Sequence, residues 1–229
     1  MERHDFFERF IRSLENMREE YNLENIHDAL IVWFGENYLT LDAEDVKERI
    51  IQDKHAEGVD SILVDQTNGN LFFIQAKTAN NFDNTENNFS ENDVKIALGG
   101  IRFLLKGDYK KKITSELENL VDEYHELDKT GDFKTTILFL TLKKKPVSDK
   151  FIENFKEDFS KIEIKFFDFD KLFDFYENKY LAMRAAPPEK ISFEVLTNLL
   201  IKDTPTKSRV FTCKGKELVS CNLSIFTIL

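Results

Sequence analysis

Proline and glycine are scarce in this chain, with 4 and 8 among 229 residues. That is too few for a collagen-like repeat or a turn-dense β-sandwich. Cysteine is nearly absent as well. Cys213 and Cys221 are the only two, and a structural disulfide is not expected in a chain of this size without an export signal. Two cysteines without neighbouring histidines do not supply the four ligands of a zinc site, so both read as ordinary small side chains. No apolar run approaches the roughly 18–20 residues needed to span a bilayer. The opening MERHDFFERF is charged throughout and lacks the apolar centre of a secretory signal. A cytoplasmic protein with no membrane partner is therefore expected. Positive charge is also in deficit. The 32 Lys and Arg face 42 Asp and Glu, a formal net charge of −10. Such a balance excludes a protein that coats nucleic acid non-specifically, while leaving room for a local basic groove.

Phenylalanine, by contrast, is abundant: 22 residues within an apolar share of 41%. An aromatic load of that size requires a buried core, so the chain reads as globular rather than disordered. At roughly 150 residues per domain, its length fits one large domain or one domain plus a fragment. Composition shifts at Ala185-Ala186-Pro187-Pro188, where two prolines halt a helix and stiffen the chain into an extended link. The expected division is a domain over residues 1–185 and a tail over 186–229, the tail being too short for an independent core.

Along the chain, Phe6, Phe7, Phe10, Ile11, Leu14 and Met17 recur at helical spacing, which predicts an amphipathic helix over 5–20. A second helix is expected over 24–38, capped by Asn22 or Asn25, with Ile26, Ala29, Leu30, Trp33 and Phe34 inward. Residues 59–65 (VDSILVD) and 71–77 (LFFIQAK), joined by Thr67-Asn68-Gly69-Asn70, carry the signature of a β-hairpin. The Asn-rich stretch 78–92 reads as a mobile surface loop. Helices over 93–106 and 113–127, a strand over 135–142, a helix over 148–159, a strand over 162–167 and a helix from 169 complete the order. The layout is α/β, helices flanking a mixed sheet.

Chemistry concentrates on the hairpin. Asp60 stands where its first strand begins, just after Gly58. Gln75 and Lys77 stand two apart on the second strand, so their side chains share a face. A carboxylate oxygen of Asp60, the amide oxygen of Gln75 and the backbone carbonyl of Ala76 are hard donors. With waters they suit octahedral Mg²⁺ or Mn²⁺, which takes only one or two carboxylates. Such a metal would polarise a phosphoryl oxygen and acidify a bound water. Lys77 would orient that water and balance charge in the transition state. The constellation therefore suits phosphodiester hydrolysis.

Gly58-Val59-Asp60 followed by Ile74-Gln75-Ala76-Lys77 resembles the PD-(D/E)xK nuclease superfamily in its Mrr-like QxK variant. More closely, residues 20–180 resemble the N-terminal part of abortive-infection phage-resistance (AIPR) proteins. In that family a helix bearing an acid precedes a "GID" strand and an "IQ-x-K" strand. The FFDFDKLFDFY segment is similar too. The resemblance implies a restriction-endonuclease-like fold, DNA as partner and substrate, and a role in anti-phage defence. The family's helical acid is usually Glu. Asp28, one methylene shorter, aligns best here as a further metal ligand, with Glu24 one turn earlier on the same face. The resemblance also implies that a larger second domain normally follows. The chain is then a shortened form, or its tail packs on the nuclease domain or on a second subunit, as in a homodimer.

Other readings stay open. The acidic balance, and Asp in place of the helical Glu, also fit a degenerate nuclease fold serving as a nucleic-acid-binding or protein-interaction module. The same fold acting on RNA or branched DNA is a third. Lys106 with Lys110, Lys111 and Lys112, and the run Lys143, Lys144 and Lys145, are candidate phosphate contacts, or solvated ends compensating nearby acids. His27, His55 and His125 form no cluster and read as surface or loop residues, and Glu57 is given no role.

Overall fold

The aromatic stripe at the start of the chain becomes the buried face of α1 (Arg3–Glu20), with Phe6, Phe7, Phe10, Leu14 and Met17 inward. The computed structural model describes residues 1–52, 58–107, 109, 113–146, 148–180, 197–201 and 208–212. The two candidate caps have separate duties. Asn22 takes a left-handed conformation (φ 51°) just past the end of α1. Asn25 caps α2 (Ile26–Asn37), its side-chain oxygen accepting the N–H groups of His27 at 2.8 Å and Asp28 at 3.0 Å. A cap of this kind contributes about 1 kcal/mol. Every residue of α2 from Asp28 to Gly35 is buried, as befits a helix enclosed on all sides. A short α3 (Ala43–Lys47) follows.

Four strands form the sheet: β1 (Ser61–Asp65), β2 (Asn70–Lys77), β3 (Lys134–Thr141) and β4 (Glu163–Phe167), in spatial order β1-β2-β3-β4. The first pair is antiparallel, with Ser61 opposite Ile74 and Asp65 opposite Asn70. Asp65 sets the turn between them. Its carboxylate accepts the backbone N–H of Asn68 at 3.0 Å and that residue's side-chain amide at 2.8 Å, while Gly69 supplies the positive φ that the return requires. β2 and β3 are parallel, Gln75 opposite Phe139 and Lys77 opposite Thr141, and β4 extends the parallel set. After Lys134, β3 is buried along its whole length. This explains its unbroken apolar run, since a strand covered on both faces has no solvent side to alternate with.

Crossover helices cover one face. α4 (Glu91–Leu105), α5 (Ser115–Thr130) and α6 (Lys150–Asp158) pack on Leu71, Phe73, Ile137 and Phe139. An aromatic layer links α1, α2 and α7 (Phe169–Phe175): Phe10 meets Trp33 at 4.7 Å, Phe6 meets Phe169 at 5.5 Å and Trp33 meets Phe175 at 5.9 Å, while Phe34 meets Phe167 of β4 at 5.1 Å. Segment 78–92 is built differently from the surface loop its composition predicts. Asn81 caps a 3₁₀ turn over Phe82–Glu86, Thr85 and Phe89 are buried, and Phe89 N–H donates to the Lys144 carbonyl at 2.7 Å. Asn81 satisfies the Asn84 N–H, and the Asn87 amide donates to Asn84 Oδ1, which gives this polar segment local order.

The chain divides into two compact units, Met1–Phe175 and Tyr176–Leu229. In the second, Tyr176–Tyr180 form a π turn, and β5 (Thr197–Ile201) pairs antiparallel with β6 (Ser208–Thr212). The expected boundary at Ala185–Pro188 lies outside the described residues, as do both cysteines, His55, Glu57 and Lys110 to Lys112. Among the described residues no helix is long and apolar enough to cross a membrane.

Candidate metal and phosphodiester site

The site lies where β1 begins and β2 ends. Strand alternation turns Leu71, Phe73, Gln75 and Lys77 toward α4 and α5. Gly58 brings the chain into β1 with a φ of +80°. A Cβ there would stand 3.1 Å from the backbone of Ala97 in α4 and 3.3 Å from the Gln75 side-chain nitrogen. Glycine at 58 thus serves both the backbone turn and the close approach to Gln75. Gly58→Ala is expected to lower folding stability by about 1–2 kcal/mol through the left-handed backbone alone, measurable as a reduced urea midpoint.

Two residues later, Asp60 is tied into the sheet by its backbone. Its N–H donates to the Ile74 carbonyl and its own carbonyl accepts from Ile51, both at 2.8 Å. Its carboxylate turns to the neighbouring strand, where Oδ2 accepts the Ala76 N–H at 2.7 Å. Because N–H and C=O of one strand residue project to the same side, the Ala76 carbonyl leaves β2 on the side of Asp60. Burial pushes the Asp60 carboxyl up to about 6. The charge of Asp28 adds to the rise, while the Ala76 N–H and the Lys77 ammonium oppose it.

Asp28 enters from the first turn of α2. It is 5% exposed, whereas Glu24, the neighbouring acid, faces solvent. Burial raises its pKa against hydrogen bonds from Asn25. Among the described residues, Asp28 Oδ2 and Gln75 Oε1 are buried without a hydrogen-bond partner. Buried acceptors left unpaired cost about 1–3 kcal/mol each, more when charged. Asp28 also lies near enough to Asp60 for its charge to raise that carboxyl. No cluster of three or more His, Cys, Asp and Glu exists among the described residues. The available donors are two carboxylates, one amide oxygen and one backbone carbonyl. All are hard, and the set matches Mg²⁺ or Mn²⁺ rather than zinc.

Lys77 Nζ pairs with Asp93 Oδ2 at 2.8 Å, in the first turn of α4. The pair is partly exposed, so the ammonium is tethered rather than entombed. Asp93 carries no sequence signal that separates it from other helix-start acids, and the pairing depends on how α4 crosses β2. His27 is likewise more than a surface residue. It is half-buried, and its Nδ1 lies 3.1 Å from the Thr78 N–H and 3.0 Å from Thr78 Oγ1. Burial and the charges of Lys77 and Lys143 hold its pKa down. His125 is engaged too, its Nε2 lying 3.2 Å from the Leu104 carbonyl.

Compared with protein-family models, curated proteins and solved structures, the chain matches none. The chemistry assigned to it therefore rests on its own residues.

Among the described residues, three lysines of the two runs lie beside acids. Lys144 pairs with Glu86, Lys145 with Asp149 at 3.2 Å, and Lys106 lies 3.8 Å from Asp158. Lys143, half-buried at the end of β3, forms no ion pair among the described residues.

Proposed function

We propose that this chain is a metal-dependent nuclease that hydrolyses DNA phosphodiester bonds. The observation that carries the reading is the pair of orphaned buried oxygens, Asp28 Oδ2 and Gln75 Oε1, around the raised carboxyl of Asp60. Asp60, Asp28, Gln75 and the Ala76 carbonyl would hold Mg²⁺ or Mn²⁺, which supplies polarisation of a phosphoryl oxygen and a more acidic water. Asp60 supplies negative charge while its second contact, to the Ala76 N–H, fixes its orientation. Gln75 adds a neutral donor, so the two carboxylates alone would offset the charge of a divalent ion. Lys77, released from Asp93, orients the attacking water and balances charge on the phosphoryl oxygens. DNA as the substrate class and action in anti-phage defence rest on the resemblance to abortive-infection proteins alone.

Incubation of the full chain with supercoiled plasmid and Mn²⁺ is expected to give nicked and linear DNA, and excess EDTA to stop the reaction. Intact plasmid across Mg²⁺ and Mn²⁺ would overturn the assignment. The Lys77–Asp93 ion pair favours a second reading, a degenerate nuclease fold that binds nucleic acid or protein without cutting. On that reading DNA shifts in a gel but stays intact, and calorimetry finds no metal binding that depends on Asp60.

A further inference from the structure

We infer that His27 is a positioning residue, its ring joining the first turn of α2 to the end of β2 so that Asp28 and the Gln75–Lys77 segment keep one geometry. The inference rests on the metal-site reading above and deepens it. The two elements are far apart in sequence, and the His27 imidazole supplies a side-chain hydrogen bond between them. Its Nδ1 faces the backbone N–H of Thr78 at 3.1 Å and the Thr78 hydroxyl at 3.0 Å. A backbone N–H can only donate, so Nδ1 carries the lone pair and the neutral ring carries its proton on Nε2.

The surroundings make the link consequential. His27 directly precedes Asp28, and the same helical turn is pinned by Asn25, whose side chain accepts from both residues' N–H groups. Thr78 directly follows Lys77. On the opposite side of β2, the Lys77 carbonyl accepts from Leu142 N–H at 3.1 Å and Thr141 Oγ1 at 2.8 Å. The end of β2 is thus held to β3 on one flank and to α2 on the other. Without the imidazole acceptor, this tie between the first turn of α2 and the end of β2 is lost, and the position of Asp28 is less tightly referenced to the strand that carries the other donors. Groups that orient metal ligands in this indirect way typically change metal affinity by about 10–100-fold.

The test measures Mn²⁺ binding by calorimetry on the full chain, alongside metal-free thermal unfolding. His27→Phe keeps a ring without an acceptor, and His27→Leu is a second acceptor-free variant. His27→Asn places an amide oxygen near the position of Nδ1. Both acceptor-free variants are expected to fold and to bind Mn²⁺ about tenfold or more weakly than the parent. His27→Asn is expected to recover binding to within about threefold. Parent-like affinity in the folded acceptor-free variants overturns the inference, and so does failure of His27→Asn to restore binding. If neither acceptor-free variant folds, His27 is a structural residue and the inference falls. Absence of Mn²⁺ binding in the parent itself removes the metal site, and this inference with it.

Discussion

Lys77→Ala is expected to reduce plasmid cleavage by about 10²–10³-fold while leaving Mn²⁺ affinity within about threefold. The magnitude follows from removing one preorganised charge aimed at the transition state. The split follows from position. Lys77 is a cation and cannot hold a metal, and its partner Asp93 lies on α4 and is not among the oxygens proposed to hold one. The variant should also fold, because the ion pair it breaks is partly exposed and such pairs contribute about 0–1 kcal/mol. Asp93→Asn frees the ammonium without removing it and serves as the control. Cleavage by Lys77→Ala at the parental rate would exclude Lys77 from the chemistry. A joint loss of metal binding and cleavage would instead show that the lysine shapes the site rather than the reaction.

Asp60→Asn is expected to stabilise the metal-free protein at pH 8 and to abolish stabilisation by Mn²⁺. The folded-state pKa of Asp60, about 6, exceeds the ordinary value of 3.8. The folded chain therefore holds this proton more tightly than the unfolded chain does. The resulting contribution to stability is fully present below about pH 4 and is lost as pH rises through about 6. At about 1.4 kcal/mol per pH unit, the loss is about 3 kcal/mol at pH 8. Asparagine removes the buried charge but keeps an oxygen for the Ala76 N–H, at a cost of about 1 kcal/mol for the weaker neutral bond. The net gain of about 2 kcal/mol corresponds to a melting temperature roughly 4–8 °C higher for a chain of this size. At pH 4 most of that loss is regained, so the gain should be gone and the parent slightly the more stable, by about 0.5 kcal/mol. A variant that melts below the parent at pH 8 would mean that Asp60 is not held against its own charge.

Much of this architecture is legible in the sequence because the signals are local. The Phe6–Met17 stripe, the turn residues between β1 and β2, and the apolar run of β3 each report on neighbours a few residues away. Asp60, Gln75 and Lys77 belong to the same category, since a hairpin brings them together with little help from the rest of the chain. The remainder depends on contacts that no short window contains. Thr78 reaches His27 across 51 residues and Lys77 reaches Asp93 across 16, through the path of α4. The asparagines of 78–92 are mostly exposed, yet Asn81 caps a 3₁₀ turn, Asn84 and Asn87 bond each other, and Phe89 turns inward. His27 and His125 look solitary in the sequence because their partners are backbone groups and a threonine, not other ligating side chains.

The mixed pairing of the sheet also bears on the order in which it assembles. Bringing β1 to β2 closes a connection of four residues, 66–69, whereas bringing β2 to β3 closes one of 63 residues, 71–133. That difference is about four doublings of length, an added closure entropy of about 2.4 kcal/mol. The strands bearing Asp60, Gln75 and Lys77 can therefore meet early, from local contacts, whereas the central parallel pair must wait for α4 and α5 to fill the gap. Asp93 arrives with α4 and Asp28 with α2. The two strands that carry Asp60, Gln75 and Lys77 are then an early scaffold, and the helices that bring Asp93 and Asp28 close around it later.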